Sequence, residues 1–186
     1  FVFSATDGVA GIEIWKSDGP AAGTVLVADI YPGANLSSSP SGFTVLGSDL
    51  YFAATDSTTT TGPGRELYKY DGTAVTLVKD VFAGTSSGIS LTGNMVAAGG
   101  SLFFAATDGT NGIELWKSDG TNAGTVMVAN ITPTAAASSS PALLTPFGSK
   151  VIFNATDGVT GVEPWVSDGT IAGTVLLLDC VPTSLS

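Results

Sequence analysis

One phrase is written four times along this chain, and a chain that repeats itself folds as an array of equivalent units before it folds as anything else. The copies are EIWKSDGPAAGTV from Glu13 to Val25, ELYKYDGTAVTLV from Glu66 to Val78, ELWKSDGTNAGTV from Glu114 to Val126 and EPWVSDGTIAGTV from Glu163 to Val175. A second phrase, ATD, precedes each copy, and its aspartates, Asp7, Asp56, Asp108 and Asp157, set the period at 49, 52 and 49 residues. Unit two drifts for visible reasons: it carries a longer STTTTGPG segment, Ser57 to Gly64, and has lost two residues from the GTxxGT turn. The units run over about residues 1–40, 41–90, 91–140 and 141–186. Together they make a single repeat domain or a fragment of a larger one.

Within a unit, short apolar and β-branched runs are separated by Gly, Asp, Ser and Pro, which reads as strands and turns with no competing helical period. In unit three, NMVAA (Asn94 to Ala98), a Gly-Gly-Ser turn and LFFAA form one hairpin. IELWKS (Ile113 to Ser118), the DGTNAG turn and TVMVANI (Thr125 to Ile131) form a second, and the connector TPTAAASSSP leads to unit four. Four antiparallel strands per repeat of this length is the arithmetic of a β-propeller blade. The expected fold is therefore all-β and β-propeller-like, with four units of about 49–53 residues that are mostly four-stranded antiparallel blades. Sheets covered on both faces by neighbours also account for runs such as LFFAA and TVLLL, which are apolar on both sides. The first unit enters at its second strand, which gives fifteen strands and leaves its first strand to a longer array or a second chain.

Composition narrows the function. Only 12% of the 186 residues are charged and 44% are hydrophobic, so the uncharged surface must be Ser, Thr, Gly and Asn, a texture of extracellular or cell-surface proteins. Six basic against sixteen acidic residues give a net charge of -10, which disfavours nucleic acid and anionic membrane faces and favours cations. No apolar run approaches the ~20 residues of a membrane helix, so no membrane insertion is expected. The absence of histidine removes imidazole bases, His-ligated zinc and Ser-His-Asp triads. The lone cysteine, Cys180, follows the apolar run VLLLD and is expected as a buried structural thiol.

The repeated phrase resembles the bacterial ELWxxDGT repeat family, whose pattern is approximately GxELWxSDGTxxGTxLVxDIxPG. Unit three reads GIELWKSDGTNAGTVMVANITP and unit one GIEIWKSDGPAAGTVLVADIYPG, and the resemblance covers essentially the whole chain. It implies a secreted or surface-anchored bacterial protein built of tandem propeller-like repeats, and it brings no catalytic residue and no ligand. Unit two departs most, with Tyr68 for Trp; unit four has Pro164 inside its third strand, and unit three has Asn130 where the others have Asp29, Asp80 and Asp179.

Fifteen of the sixteen acids fall on repeat positions, Asp49 being the exception, so the acids belong to the blade. Asp18, Asp71, Asp119 and Asp168 sit where a strand reverses, and an Asx-turn lets each carboxylate accept backbone N–H groups while the next glycine takes a positive φ. Trp15, Tyr68, Trp116 and Trp165 lie two residues after a glutamate, on the same strand face, and read as packing anchors between blades, with the glutamate free to accept a hydrogen bond from a neighbouring blade. Asp7 with Glu13, Asp108 with Glu114 and Asp157 with Glu163 are the candidate metal positions. Their oxygen-only donors suit Ca²⁺, although TDGTNGIE lacks the acid density of a strong calcium loop.

These readings favour a non-catalytic extracellular repeat module with a structural, adhesive or surface-assembly role, partnered by other protein chains or copies of itself. The alternative is a calcium-dependent or lectin-like propeller that binds surface glycan through its loops, with Ser57 to Gly64 the place for a unit-specific contact. A carboxylate-based glycosidase or lyase ranks lower, because catalysis needs one asymmetric site and every carboxylate pair here has copies.

Overall fold

The computed structural model describes residues 1–56, 62–90, 94–134 and 136–180. Residues 57–61 of the Ser57 to Gly64 segment lie outside the described residues. The chain divides into two compact units, Phe1–Gly88 and Ile89–Ser186, each holding two of the four repeats.

The first unit contains two antiparallel sheets. One has three strands in the order β1 (Val2–Ala5), β2 (Glu13–Lys16) and β3 (Val25–Ala28); the other has four, β4 (Ser41–Leu46), β5 (Asp49–Thr55), β6 (Arg65–Tyr70) and β7 (Val75–Lys79). The second unit holds a sheet of β8 (Val96–Ala98), β9 (Ser101–Ala106), β10 (Glu114–Ser118) and β11 (Val126–Ala129). Beside it is a sheet of β12 (Ala142–Phe147), β13 (Lys150–Thr156), β14 (Val162–Ser167) and β15 (Val175–Leu176). All four are simple up-and-down meanders, and the fifteen strands among the described residues fall where the repeat places them.

Local sequence explains each element. The first two strands of each complete sheet are joined by a two-residue loop, Gly47-Ser48, Gly99-Gly100 or Gly148-Ser149, whose leading glycine has φ near 60° (63°, 57° and 61°), the conformation a tight hairpin turn demands. Alternating aromatic and β-branched residues then build the strands, and their register sets Phe3 opposite Trp15, Phe52 opposite Tyr68, Phe104 opposite Trp116 and Phe153 opposite Trp165. Such cross-strand aromatic pairs are worth about 0.2–1 kcal/mol each. Phe52 and Tyr68 are stacked, their centroids 6.2 Å apart.

A bulge recurs between the last two strands: the register slips one residue after Ile14, Leu67 and Leu115, which leaves Val27, Val78 and Val128 as the extra residues on the outer strands. Two of these, Val78 and Val128, are buried, so the slip aims an added apolar side chain inward. Cores form within each unit. Ile14 of the first sheet packs with Phe52, Ala54, Tyr68 and Tyr70 of the second. Leu115 and Val128 of the third sheet pack with Leu144, Val151 and Phe153 of the fourth, and Trp165 covers them.

A second bulge lies at the start of the inner strands, between Ser41 and Thr44 in β4 and between Ala142 and Thr145 in β12. Its turning residue is Gly42, φ 72°, in β4 but Leu143, φ 55°, in β12. A leucine in the left-handed region costs about 1–2 kcal/mol, and glycine's extra freedom in the unfolded chain returns about 0.4–1 of that. Leu143 is 73% exposed, so little packing opposes the change. Leu143→Gly is expected to raise stability by about 0.5–1 kcal/mol in urea unfolding; a loss would mean that the leucine side chain contributes packing that outweighs its backbone strain.

Candidate functional site

The repeated glutamate is the centre of every repeat. Glu13, Glu66 and Glu114 are completely buried and Glu163 is 4% exposed. An ionised carboxylate at such depth is tolerated only when hydrogen-bond donors replace its water. Those donors come from two places at once. Glu13 Oε2 accepts the N–H of Ile30, at 2.9 Å, just past β3, and Oε1 accepts the N–H of Ser38, at 2.8 Å, in the connector to the next sheet. The Ser38 hydroxyl donates to Oε2 at 2.5 Å. Glu114 repeats the pattern with the N–H groups of Ile131 (3.0 Å) and Ser139 (2.9 Å) and the Ser139 hydroxyl (2.6 Å). Glu66 takes the N–H groups of Val81 (2.8 Å) and Gly88 (2.5 Å), and since Gly88 stands in the serine's place it has no hydroxyl donor there. Glu163 accepts from Cys180 N–H at 2.9 Å.

The connector passes the link onward. The carbonyl of Ser38 accepts the N–H of Thr55 at 2.8 Å, and that of Ser139 accepts the N–H of Thr156 at 3.0 Å. One carboxylate thus ties the end of its sheet's last strand to the connector, and the connector ties itself to the second strand of the following sheet. A neighbouring serine closes the joint: Ser37, Ser87 and Ser138 accept through Oγ the N–H of Ile12, Arg65 and Ile113. These serines carry no signal when a single repeat is read. Their signal is the fixed 25-residue separation between Glu and Ser in the SSSP connectors.

The aspartates do a different job. Oδ1 of Asp7 accepts the N–H groups of Val9 and Ala10 (2.8 and 2.9 Å), Asp108 those of Thr110 and Asn111 (2.8 and 2.9 Å), and Asp157 those of Val159 and Thr160 (both 2.8 Å). In the strand reversal, Asp71 accepts from Thr73 and Ala74, while Asp119 and Asp168 each accept both the N–H and the hydroxyl of the threonine two residues on. Asp18 cannot do the same, because Pro20 offers neither an N–H nor a hydroxyl. The glycine after each of these four aspartates has φ between 85° and 126°, as the turn reading requires. The second glycine of GTxxGT has a separate cause that the sequence reading missed. A Cβ at Gly23, Gly124 or Gly173 would stand 1.6, 2.1 or 2.0 Å from the aspartate side chain of its own turn. Ser118 and Thr125 then join their hydroxyls at 2.7 Å across the base of the turn, and Ser17 with Thr24 and Ser167 with Thr174 do likewise.

The candidate calcium pairs are therefore divided between two tasks: each aspartate serves its loop, and each glutamate serves the connector or the strand end. Among the described residues no three His, Cys, Asp or Glu side chains converge as a metal would require. The aromatics pack: Tyr68 and Trp116 are buried, Trp15 and Trp165 half-buried. Trp165 donates its indole N–H to the carbonyl of Ala155 at 3.1 Å, whereas those of Trp15 and Trp116 meet no partner among the described residues. In unit three, Asn130 donates to Asn111, which donates to Asp108, so the Asp-to-Asn exchange at 130 is matched by an amide on the loop.

One expectation is corrected, and one buried cation comes to light. Cys180 is exposed, not buried, because β15 is only two residues long and Leu177 and Leu178 beyond it are 50% and 61% exposed. Arg65, which the repeat gives as Ile12, Ile113 and Val162 elsewhere, is 4% exposed and reaches into the connector, donating to the carbonyl of Ser39 at 2.9 Å and to the Ser41 hydroxyl. The first unit also carries two grooves that share Val2. One, of about 300 Å³, is lined by Phe1, Lys16, Ser17, Asp18 and Gly23, and the other, of about 360 Å³, by Phe43, Val45, Leu50 and Tyr70 among others.

No protein-family model matches the chain, and no curated protein matches it. Among solved structures it is similar to TolB from Acinetobacter baumannii, at 12% identity and a TM-score of 0.55, over 94% of this chain and 39% of that one. It is also similar to a protein assigned as TolB from Agrobacterium tumefaciens, at 13% identity and a TM-score of 0.51, over 95% of this chain and 60% of that one. The chain thus spans about two fifths to three fifths of the structures it matches, and the likeness is one of fold.

Removing the charge at the joint separates its donors. In Glu114→Gln the amide NH₂ must face an N–H or hydroxyl that the carboxylate now accepts, at a cost of about 1–3 kcal/mol in urea unfolding. Glu66→Gln is expected to cost less, because Gly88 in the serine's place donates its N–H but has no hydroxyl. Equal costs would show that the hydroxyl of the connector serine contributes nothing.

The pH profile follows from the same groups. Burial pushes Glu66 up to about 7, against the hydrogen bonds from Val81 and Gly88, and burial raises Glu114 as well. A raised carboxyl favours the folded state in its protonated form: Glu66's contribution is whole below about 4.5 and is lost as pH climbs through about 7. The aspartates run the other way. Hydrogen bonds from Val9 and Ala10 hold Asp7 below 3.8, and those from the Thr121 hydroxyl and N–H hold Asp119 below it, so their contribution is present above 3.8 and is lost on further acidification. Thermal unfolding across pH is expected to show greatest stability between those two limits, with the fall from about pH 5 to 7 reduced in Glu66→Gln.

Proposed function

We propose that the chain is a non-catalytic, propeller-like repeat module whose work is structural: it assembles with other protein chains, in the extracellular or cell-surface setting that its composition and its likeness to the ELWxxDGT repeats suggest. The observation that carries the reading is the use made of the acids. Each repeated glutamate is spent on backbone N–H groups at the strand end or in the connector, and the repeated turn aspartates are mostly spent on their own loops. Catalysis by a carboxylate pair needs one group that can move a proton and one that can attack or polarise, both open to substrate. Carboxylates buried against N–H groups in four equivalent places support a scaffold instead. The likeness of fold to TolB structures supports the propeller arrangement of the four sheets.

The test is sedimentation of the purified chain over a wide concentration range, with and without millimolar calcium. Concentration-dependent assembly that ignores calcium is expected. A strict monomer whose unfolding midpoint rises with calcium, through binding to the folded state alone, would favour the calcium-dependent glycan-binding alternative.

A further inference from the structure

We propose that Asp18-Gly19, in the reversal between β2 and β3, is a site of spontaneous main-chain modification in the folded protein, where the aspartate closes to a succinimide and reopens in part as isoaspartate.

The chemistry needs only the chain and water. The main-chain nitrogen after an aspartate attacks Cγ and forms the N–Cγ bond, while its proton and the carboxyl hydroxyl leave together as water. Water then adds to one of the two ring carbonyls. Breaking the N–Cγ bond restores aspartate. Breaking the bond from nitrogen to the former main-chain carbonyl leaves isoaspartate, with the chain running through Cβ and Cγ and the α-carboxylate as its branch. Nothing is oxidised or reduced. Glycine favours the attack because it has no Cβ to hinder the approach, and the carboxyl reacts in its neutral form. The chain holds seven Asp-Gly pairs, at Asp7, Asp18, Asp71, Asp108, Asp119, Asp157 and Asp168.

Six of the seven are guarded. In each, Oδ1 accepts two hydrogen bonds, either from the N–H groups two and three residues on or from the N–H and hydroxyl of one threonine. Those bonds fix the carboxylate and favour its ionised, unreactive form, holding Asp7, Asp71, Asp119, Asp157 and Asp168 below the usual aspartate range.

Asp18 has no such guard. Pro20 stands where the other three reversals have a threonine, and it supplies neither an N–H nor a hydroxyl. The network around it is rebuilt without the carboxylate: Gly23 donates its N–H to the Pro20 carbonyl at 3.0 Å, whereas Gly124 and Gly173 donate to the threonine hydroxyl. Asp18, Gly19 and Pro20 are all exposed. Gly19 has a φ of 126°, against 85–93° for Gly72, Gly120 and Gly169, so the change at Pro20 reaches the attacking residue too. The Gly19 N–H is bonded to the Ser17 hydroxyl at 3.0 Å, but Gly120 and Gly169 make the same bond, so the carboxylate is what sets Asp18 apart. Isoaspartate keeps its charge and lengthens the main chain by one carbon, within the turn that Ser17 and Thr24 hold closed through hydroxyls 2.7 Å apart.

The experiment holds the folded chain for weeks in mildly acidic buffer, reports isoaspartate by enzymatic methyl transfer to its α-carboxylate, and assigns positions by peptide mapping. Asp18 is expected to convert faster than each of the other six by about tenfold or more, the worth of a single hydrogen bond to a charged group. In urea the guards are gone and the seven rates should converge. Pro20→Thr, which restores the residue of the other reversals, should slow Asp18 by a similar factor in the folded chain and leave its rate in urea unchanged. Equal rates at the seven sites of the folded chain, or an unaltered rate at Asp18 in Pro20→Thr, would overturn the assignment. A lead by Asp71 would overturn it as well, because Tyr70 replaces the serine beside Gly72, and control would then lie with the nitrogen and not the carboxylate. The ranking of the seven sites in the unaltered chain decides the matter without any variant.

Discussion

The fold depends on a buried carboxylate being worth its desolvation. A glutamate removed wholly from water loses several kcal/mol of hydration, and only donors in good geometry restore it. Here those donors are backbone N–H groups with few other partners, because they lie where a strand has ended and a connector has not yet joined the next sheet. The mutual need is specific. Without the carboxylate, the N–H groups of Ile30 and Ser38, or of Ile131 and Ser139, would be unpaired in the interior, and without them the carboxylate would be an uncompensated charge. Neither half is stable alone, so the carboxylate, with the neighbouring serines Ser37 and Ser138, holds the connector's path. The following sheet is tied to that path through the Ser38 and Ser139 carbonyls, which accept the N–H groups of Thr55 and Thr156.

The second repeat shows what happens when one donor is removed. Gly88 takes the place of the serine and supplies its N–H but no hydroxyl, and Glu66 is the glutamate that burial carries to about 7. Space as well as polarity enforces the exchange: a Cβ at Gly88 would lie 2.6 Å from Glu66 Oε2 and 2.7 Å from the Val81 side chain. The same repeat replaces the serine of the strand reversal with Tyr70, whose hydroxyl donates to the Gly72 carbonyl at 2.7 Å and receives Lys16 Nζ at 3.3 Å. It also brings in Arg65, a cation buried against Ser39 and Ser41, with its Nε unpartnered among the described residues. Drift in the repeat is therefore compensated locally, residue by residue, and the glutamate itself is kept.

Periodicity made the architecture legible. Strands expected over Asn94 to Ala98, Ile113 to Ser118 and Thr125 to Ile131 in unit three fall within a residue or two of β8, β10 and β11, because turn chemistry and apolar runs coincide there. The turn role of Asp71, Asp119 and Asp168 was legible for the same reason, since an Asx-turn is a local device. The role of the glutamates was legible only in part: an accepted hydrogen bond was expected from a neighbouring blade, whereas the donors lie at the strand end and in the connector, where the serine stands 25 residues away, a distance over which local propensity says nothing. Cys180 misled for a related reason. An apolar run predicts burial only if it is long enough in the sheet, and β15 stops after two residues.

A repeated site and a functional site obey opposite logic. Function at a point requires that one place differ from its copies, while the copies of the glutamate joint differ only where a neighbour compensates. The features that break the repeat are the ones left over: the buried guanidinium of Arg65 and the amide chain from Asp108 through Asn111 to Asn130. Both are closed upon themselves, their donors and acceptors mostly spent on neighbouring groups: the Arg65 guanidinium on the Ser39 carbonyl and the Ser41 hydroxyl, the amides on each other and on Asp108. Each therefore meets a departure within its own repeat, and a departure met in that way leaves the joint equivalent to its copies.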